Sequence, residues 1–205
     1  MSAFANAAQF DRTPRSVRTK LGAASAYDDA YLRARGFGAD GSRYGGIAAP
    51  KQVTVPIGAT LFRVFKAGDG MGQWWMTAAE LRALMDHIGH TDLAMGRTEG
   101  KGALHAFLAI HIAEFDNTCE FFVTARVAKP AYAFYGEGDH LLGAKAGRKA
   151  PKITVAGRQR GMCQVFLPSL WEYKSALAIG APQRVENQLA NTLARTSTIN
   201  LSFEV

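Results

Sequence analysis

The pattern of hydrophobic and polar positions changes character near residue 52. Residues 1 to about 52 are rich in Gly, Ala and Ser with scattered charges and no sustained apolar period, the texture of a flexible arm rather than a core. One short helix is expected there, from Tyr27 to Arg35, because Tyr27 and Tyr31 stand four residues apart on one face and Gly36 and Gly38 follow. From Val53 onward apolar segments recur between Gly and Pro, so residues 53–205 are expected to form a single globular domain. Val53 to Val55 and Leu61 to Phe65 read as short strands. Thr77 followed by Glu80 predicts a capping box opening a helix from Ala78 to about Ile88, with Leu81, Leu84, Met85 and Ile88 on one face and Gly89 as the stop.

Ala106 to Phe115 and Cys119 to Val127 are strongly apolar runs joined through Asp116-Asn117-Thr118, which predicts a hairpin central in a sheet. Ile153 to Val155, Gln164 to Leu167 and Ile199 to Val205 predict further strands, while Leu170 to Ile179 and Arg184 to Leu193 have helical spacing. The strands are not regularly separated by crossover helices, so the expected class is α+β with a mainly antiparallel twisted sheet and a few packed helices. No repeat of fixed period is visible.

A chain of 205 residues with 48% hydrophobic content carries enough apolar surface for one substantial core. No apolar run approaches the roughly 20 residues of a membrane span, and Met1-Ser2-Ala3-Phe4-Ala5-Asn6 lacks a basic segment followed by an apolar block, so a soluble protein made in the cytosol is expected. Cys119 and Cys163 have no short C-x-x-C spacing and read as buried thiols. His87, His90, His105 and His111 have no carboxylate or cysteine at matching ligand spacing, so no metal site is expected. Ser169, Ser175 and Ser197 lack a nucleophile-elbow context.

The net charge of +7 favours polyanionic partners. It gathers in two stretches: Arg12, Arg15, Arg18, Lys20, Arg33 and Arg35 in the arm, and Lys145, Arg148, Lys149, Lys152, Arg158 and Arg160 later. Neither stretch interleaves aromatics as stacking platforms, so both read first as solvated basic segments.

Three pieces in order carry the candidate chemistry. Arg63 lies between Phe62 and Val64 in a strand and points to the face opposite theirs, where its planar fork suits a pyrophosphate. Gly68-Asp69-Gly70-Met71-Gly72-Gln73-Trp74-Trp75 follows; its glycines admit close backbone approach, and in an extended segment Trp74 and Trp75 face opposite sides. The glycine run lacks the G-x-G-x-x-G spacing of a dinucleotide fingerprint. Third comes Gln164, between Gly161 and Pro168, which can position a ribose hydroxyl or a water but cannot take a proton as a carboxylate does.

An arginine strand, then a glycine with aromatics and a Ser/Thr, then a strand running into Lys129-Pro130, then Gly161-x-x-Gln164 resembles the bacterial NAD-glycohydrolase toxins of the tuberculosis necrotizing toxin type, within the ADP-ribosyltransferase-like fold. The matching stretches are Leu61 to Thr77, Val123 to Gly136 and Gly161 to Pro168, about a quarter of the chain. The resemblance implies NAD as substrate without a metal, Arg63 on its phosphates, Gln164 at the catalytic position, Trp74, Trp75, Thr77 and Phe122 among the residues that bind NAD, and an aromatic such as Trp75 or Phe122 flanking the nicotinamide. It also implies a cognate immunity protein, a macromolecular ADP-ribose acceptor where water is not the acceptor, and delivery to another cell by a secretion machine. The chain departs from that pattern by lacking an E-x-E or Q-x-E pair, with Glu172 and Glu204 as alternative carboxylates. The other class the sequence supports is a non-catalytic binding or assembly protein, of a phage virion or nucleic-acid-associated kind, that uses the basic arm.

Overall fold

The computed structural model describes residues 3–42, 45–65, 72–88, 119–141, 148–149, 152–198 and 201–203. In chain order the elements are α1 (Ala26–Ala34), β1 (Lys51–Val55), β2 (Thr60–Phe65), β3 (Trp74–Thr77), α2 (Ala78–Ile88), β4 (Phe121–Val127), β5 (Ala131–Glu137), β6 (His140–Leu141) and β7 (Arg148–Lys149). They continue with β8 (Lys152–Val155), β9 (Arg158–Gly161), β10 (Cys163–Phe166), β11 (Leu177–Ile179), β12 (Gln183–Arg184), α3 (Val185–Ala194) and β13 (Ser202–Phe203). Single 3₁₀ turns occupy Ala7–Phe10, Leu170–Glu172 and Lys174–Ala176.

One antiparallel sheet runs in the order β11-β4-β2-β3-β10-β5-β1-β13, with β12 also on β4. The class is therefore α+β, as the irregular alternation of strands and helices implied. Strand β3 is the hinge of the sheet. Its Met76 and Thr77 pair with Phe62 and Leu61 of β2, while its Trp74 and Trp75 pair with Phe166 and Val165 of β10. The chain crosses between the two halves at the β1–β2 turn and again at Lys129-Pro130, because β4 pairs with β2 whereas β5 pairs with β1 and β10.

Side chains alternate across the pleat, so each strand feeds two clusters. On one face Leu61, Phe65, Trp75, Val123, Ala125 and Val165 form a core closed by Leu167, Leu170 and Tyr173. On the other face Phe62, Val64, Met76 and Phe122 lie under α2 and α3, while Phe134 and Phe166 lie under Phe10, Ala30 and Ala34. Helix α2 forms where the capping pattern placed it, with Leu81, Leu84 and Met85 fully buried and Glu80 N–H donating to Thr77 Oγ1 at 3.2 Å.

The stretch expected as an arm lies along the sheet. Asn6 substitutes for a strand against β5: its Nδ2 donates to Tyr132 O and Tyr132 N–H donates to its Oδ1, both at 2.8 Å. Phe10 and α1 then cover Phe134. Phe10 is an isolated apolar contact between polar neighbours and Asn6 a polar one, so no period marks them, whereas Ala30 and Ala34 recur four apart on α1.

Leu170 to Ile179, expected as a helix, is instead two 3₁₀ turns followed by β11. Within the two turns the buried residues Leu170, Tyr173 and Ala176 recur every three positions, which suits 3₁₀ geometry, and the buried Leu177 that follows already belongs to β11. Residues 106–118, expected as one strand and the turn of a hairpin, and most of Ile199 to Val205 lie outside the described residues, as do His90, His105, His111 and Glu204. The other strand of that expected hairpin, β4, pairs with β2 on one side and with β11 and β12 on the other, next to the edge of the sheet.

Candidate functional site

Arg63 sits on β2 two residues from Leu61 and two from Phe65, so it shares their face and that of Trp75. Gly72 lies directly against it: a Cβ there would stand 2.3 Å from the guanidinium carbon and from Nη1. Only glycine lets the backbone come that close. The Trp75 indole N–H donates to Gly72 O at 2.8 Å, which pins this backbone over the arginine, and Trp75 itself is 1% exposed. Gln73 continues the link, its O accepting from Leu167 N–H and its Oε1 from Ser169 N–H, each at 2.8 Å. Arg63 is half-buried as a residue with its Nε fully buried, and its guanidinium, held beneath the Gly72 backbone and beside the buried Trp75 indole, is a planar donor fork of the kind that suits an oxyanion group.

The other residues singled out in the sequence do not converge on Arg63. Gln164 neighbours Val165 and so faces the opposite side of the sheet, where its cross-strand partner Gly136 abuts Ile47; it is 6% exposed. Trp74 is on that side too, its ring 4.6 Å from Phe166. Thr77 is occupied as the cap of α2. Phe122 is fully buried beneath α2 and α3, 6.5 Å from the Phe62 ring, on the face Arg63 does not share. The structure therefore brings together Arg63, Gly72 and Trp75 and places Gln164, Trp74 and Phe122 on the opposite face, while Thr77, paired with Leu61 on the Arg63 face, is taken up as the cap of α2. Glu172, the alternative carboxylate, is exposed and accepts from Gln9 at 2.5 Å.

A second polar constellation was visible in the sequence only as half a capping box and one member of a basic run. Glu80, 3% exposed, accepts four hydrogen bonds: from Arg160 Nη1 at 2.8 Å and Nη2 at 2.6 Å, from Tyr135 Oη at 3.0 Å and from Cys163 N–H at 2.9 Å. Its place explains it. Beyond Val165 the strand β3 no longer pairs with β10, and the carboxylate at the start of α2 satisfies the Cys163 N–H that the missing strand leaves. Arg160 also reaches Gly161 O at 2.9 Å and Cys163 Sγ at 3.3 Å, and thus fastens the separate β8–β9 hairpin to the sheet.

Electrostatics make this cluster a fixed tie. Burial first, then the Glu80 charge, push the Cys163 thiol up to about 11, and the same two causes raise the Tyr135 phenol. Hydrogen bonding to Glu80 raises Arg160 further. At neutral pH the thiol is protonated and so is no nucleophile. The four hydrogen bonds saturate the carboxylate, so it has no free lone pair with which to take a proton from a substrate. Among the described residues no group of three or more His, Cys, Asp and Glu is placed to hold a metal ion, and no helix is long and apolar enough to cross a membrane.

No protein family and no curated protein matches the sequence. Among solved structures the chain is similar to "Rhs1-CT in complex with cognate immunity protein RhsI1", at 16% identity and a TM-score of 0.49, over 77% of this chain and 96% of that one.

Proposed function

We propose that this protein is an effector-like enzyme that binds NAD and cleaves its nicotinamide–ribose bond, as a glycohydrolase or, with a macromolecular acceptor, an ADP-ribosyltransferase. The observation that carries the reading is the Arg63–Gly72–Trp75 arrangement: the permanently charged fork of a half-buried arginine held against bare backbone beside a buried indole. A pyrophosphate fits such a fork, and the resemblance of the three motifs to NAD-glycohydrolase toxins supplies the dinucleotide. Cleavage at the anomeric carbon would then rest on positioning and on stabilising an oxocarbenium ion, not on a general base. Gln164 stands behind the Arg63 surface, so in this reading it seats β10 rather than touching the reacting carbon. A cognate immunity protein covering the Arg63 surface and delivery to another cell belong to the same proposal.

The test is incubation with NAD and chromatography of free nicotinamide. Arg63→Ala is expected to raise KM at least tenfold, with Arg63→Lys intermediate because an ammonium lacks the bidentate fork. Gly72→Ala is expected to mimic Arg63→Ala by displacing the guanidinium. No nicotinamide release by the unaltered protein, or release unchanged in both variants, sinks the proposal. Loss of turnover in Gln164→Ala with unfolding behaviour unaltered would return Gln164 to a contact role.

One observation favours the non-catalytic alternative: Arg12, Arg15 and Arg18 are all exposed on a single loop, with Lys20 exposed at its end. Binding of duplex DNA that weakens steeply with salt and vanishes when these four become alanine would support it.

A further inference from the structure

A cavity of ≈ 320 Å³ lies away from the Arg63 surface, between the N-terminal turn, one face of α1 and the turn that follows β10. It is a half-open cleft at the small end of the range for ligand pockets, and its lining is more polar than theirs. Its walls are small or cyclic side chains, and its functional groups are of both signs: the guanidinium groups of Arg15 and Arg33 and the carboxylates of Asp29 and Glu172, with Gln9 and Ser169 as neutral partners. Asp29 and Arg33 are fixed to each other at 2.8 Å along the helix, and Gln9 orients Glu172 at 2.5 Å. Arg15 is exposed, and among the described residues its guanidinium makes no hydrogen bond.

Carboxylates in the lining oppose a phosphate, and the charges oppose an apolar guest; a ligand that presents both signs satisfies the lining. The rim carries a further mark. Ser169 is a non-glycine residue in the left-handed region, with φ 52°, and Gln73 holds it there through its backbone N–H. Strained positions of this kind are kept where neighbouring structure over-determines them, and they concentrate at ligand clamps.

We propose that this cavity is a second binding site, for a zwitterionic small molecule of the amino-acid or short-peptide class, with its carboxylate on Arg15 and Arg33 and its cationic group on Glu172. The ligand class follows from the cavity lining alone and does not rest on the NAD reading. Because Gln73 joins Ser169 to Gly72, an occupant would press on the segment that overlies Arg63.

The probe is L-arginine, titrated into the ¹⁵N-labelled full chain and followed by amide shifts of Gln9, Arg15, Ser169 and Glu172. The expected result is saturable shifts at these amides. Arg15→Ala and Glu172→Gln, both at exposed positions where substitution leaves the fold intact, are each expected to weaken binding about tenfold or more. Acetate and guanidinium ion, each carrying one sign, are expected to bind far more weakly than L-arginine. Absence of saturable shifts, binding that survives both substitutions, or equal binding of the single-sign ions would overturn the proposal.

Discussion

The two halves of the sheet, divided at β3, are closed in different ways. The β2–β4 half is covered by α2 and α3, whose apolar residues recur at helical spacing. The β10–β5–β1 half is covered by the N-terminal stretch, where the short helix α1 sets Ala30 and Ala34 four apart over the sheet and Asn6 and Phe10 are single contacts ahead of it. The two covers bury phenylalanines equally well, Phe62 and Phe122 in one case and Phe134 and Phe166 in the other. Two amphipathic helices are thus one way to seal a sheet face; a short helix joined to single side chains and one strand-mimicking asparagine is another. The second leaves a charged cavity beside it.

If the two covers are equivalent in energy, Phe134→Ala and Phe62→Ala should each destabilise by about 3–5 kcal/mol, as full truncation of a buried aromatic does. Urea unfolding monitored by tryptophan fluorescence and by far-UV circular dichroism should give one coincident transition for both variants, since β3 welds the halves. A Phe134→Ala variant that loses the N-terminal half in a separate, earlier transition would break the equivalence.

Glu80→Ala removes the acceptor that joins α2, β5 and the β8–β9 hairpin, and leaves the Cys163 N–H and the Tyr135 hydroxyl buried without it. A cost of about 3 kcal/mol is expected in the same unfolding assay, with Glu80→Gln milder because it keeps one acceptor. The raised thiol gives this region an alkaline signature. Its folded pKa of about 11 lies above the ordinary thiol value of 9.0, so its stabilising share is complete below about pH 9 and is lost as pH rises towards 11. The Tyr135 and Tyr173 phenols, raised chiefly by burial, act in the same direction. The melting temperature should therefore fall above pH 9, and Cys163→Ala should flatten the first part of that fall; a melting temperature constant to pH 11 would contradict the assigned burial.

Asn6→Ala is the smallest of the expected changes. It removes a pair of hydrogen bonds to Tyr132 and one to the Tyr173 hydroxyl at 3.1 Å, for about 2 kcal/mol. Hydrogen exchange should quicken at Tyr132 and be unaltered at Phe62. Equal quickening in both places would show that the N-terminal cover is coupled across β3 and not local.

What was legible in the sequence followed from local periodicity. The helix Ala78–Ile88 was readable because its buried residues repeat on one face and Thr77 caps it, and β2 and β4 were readable as dense apolar runs. The opposed directions of Trp74 and Trp75 followed from the two-residue period of an extended strand. The turns from Leu170 to Ala176 were misread because a three-residue spacing of apolar positions is close to a helical one over so short a span.

Candidate chemistry was legible one residue at a time and not as a constellation. That Arg63 lies against Gly72 depends on close backbone approach across the β2–β3 connection, and that Gln164 faces the other way depends on register through three strands, where one step reverses every side chain. The sequence by itself determined the α+β class, the strands β2 and β4, the two amphipathic helices and the basic charge, since these are sums over neighbouring residues. Only the tertiary structure decided that Glu80 and Arg160 meet across 80 positions, that the N-terminal stretch completes the core, and that a charged cavity opens beside it, because each depends on which distant segments the sheet brings side by side.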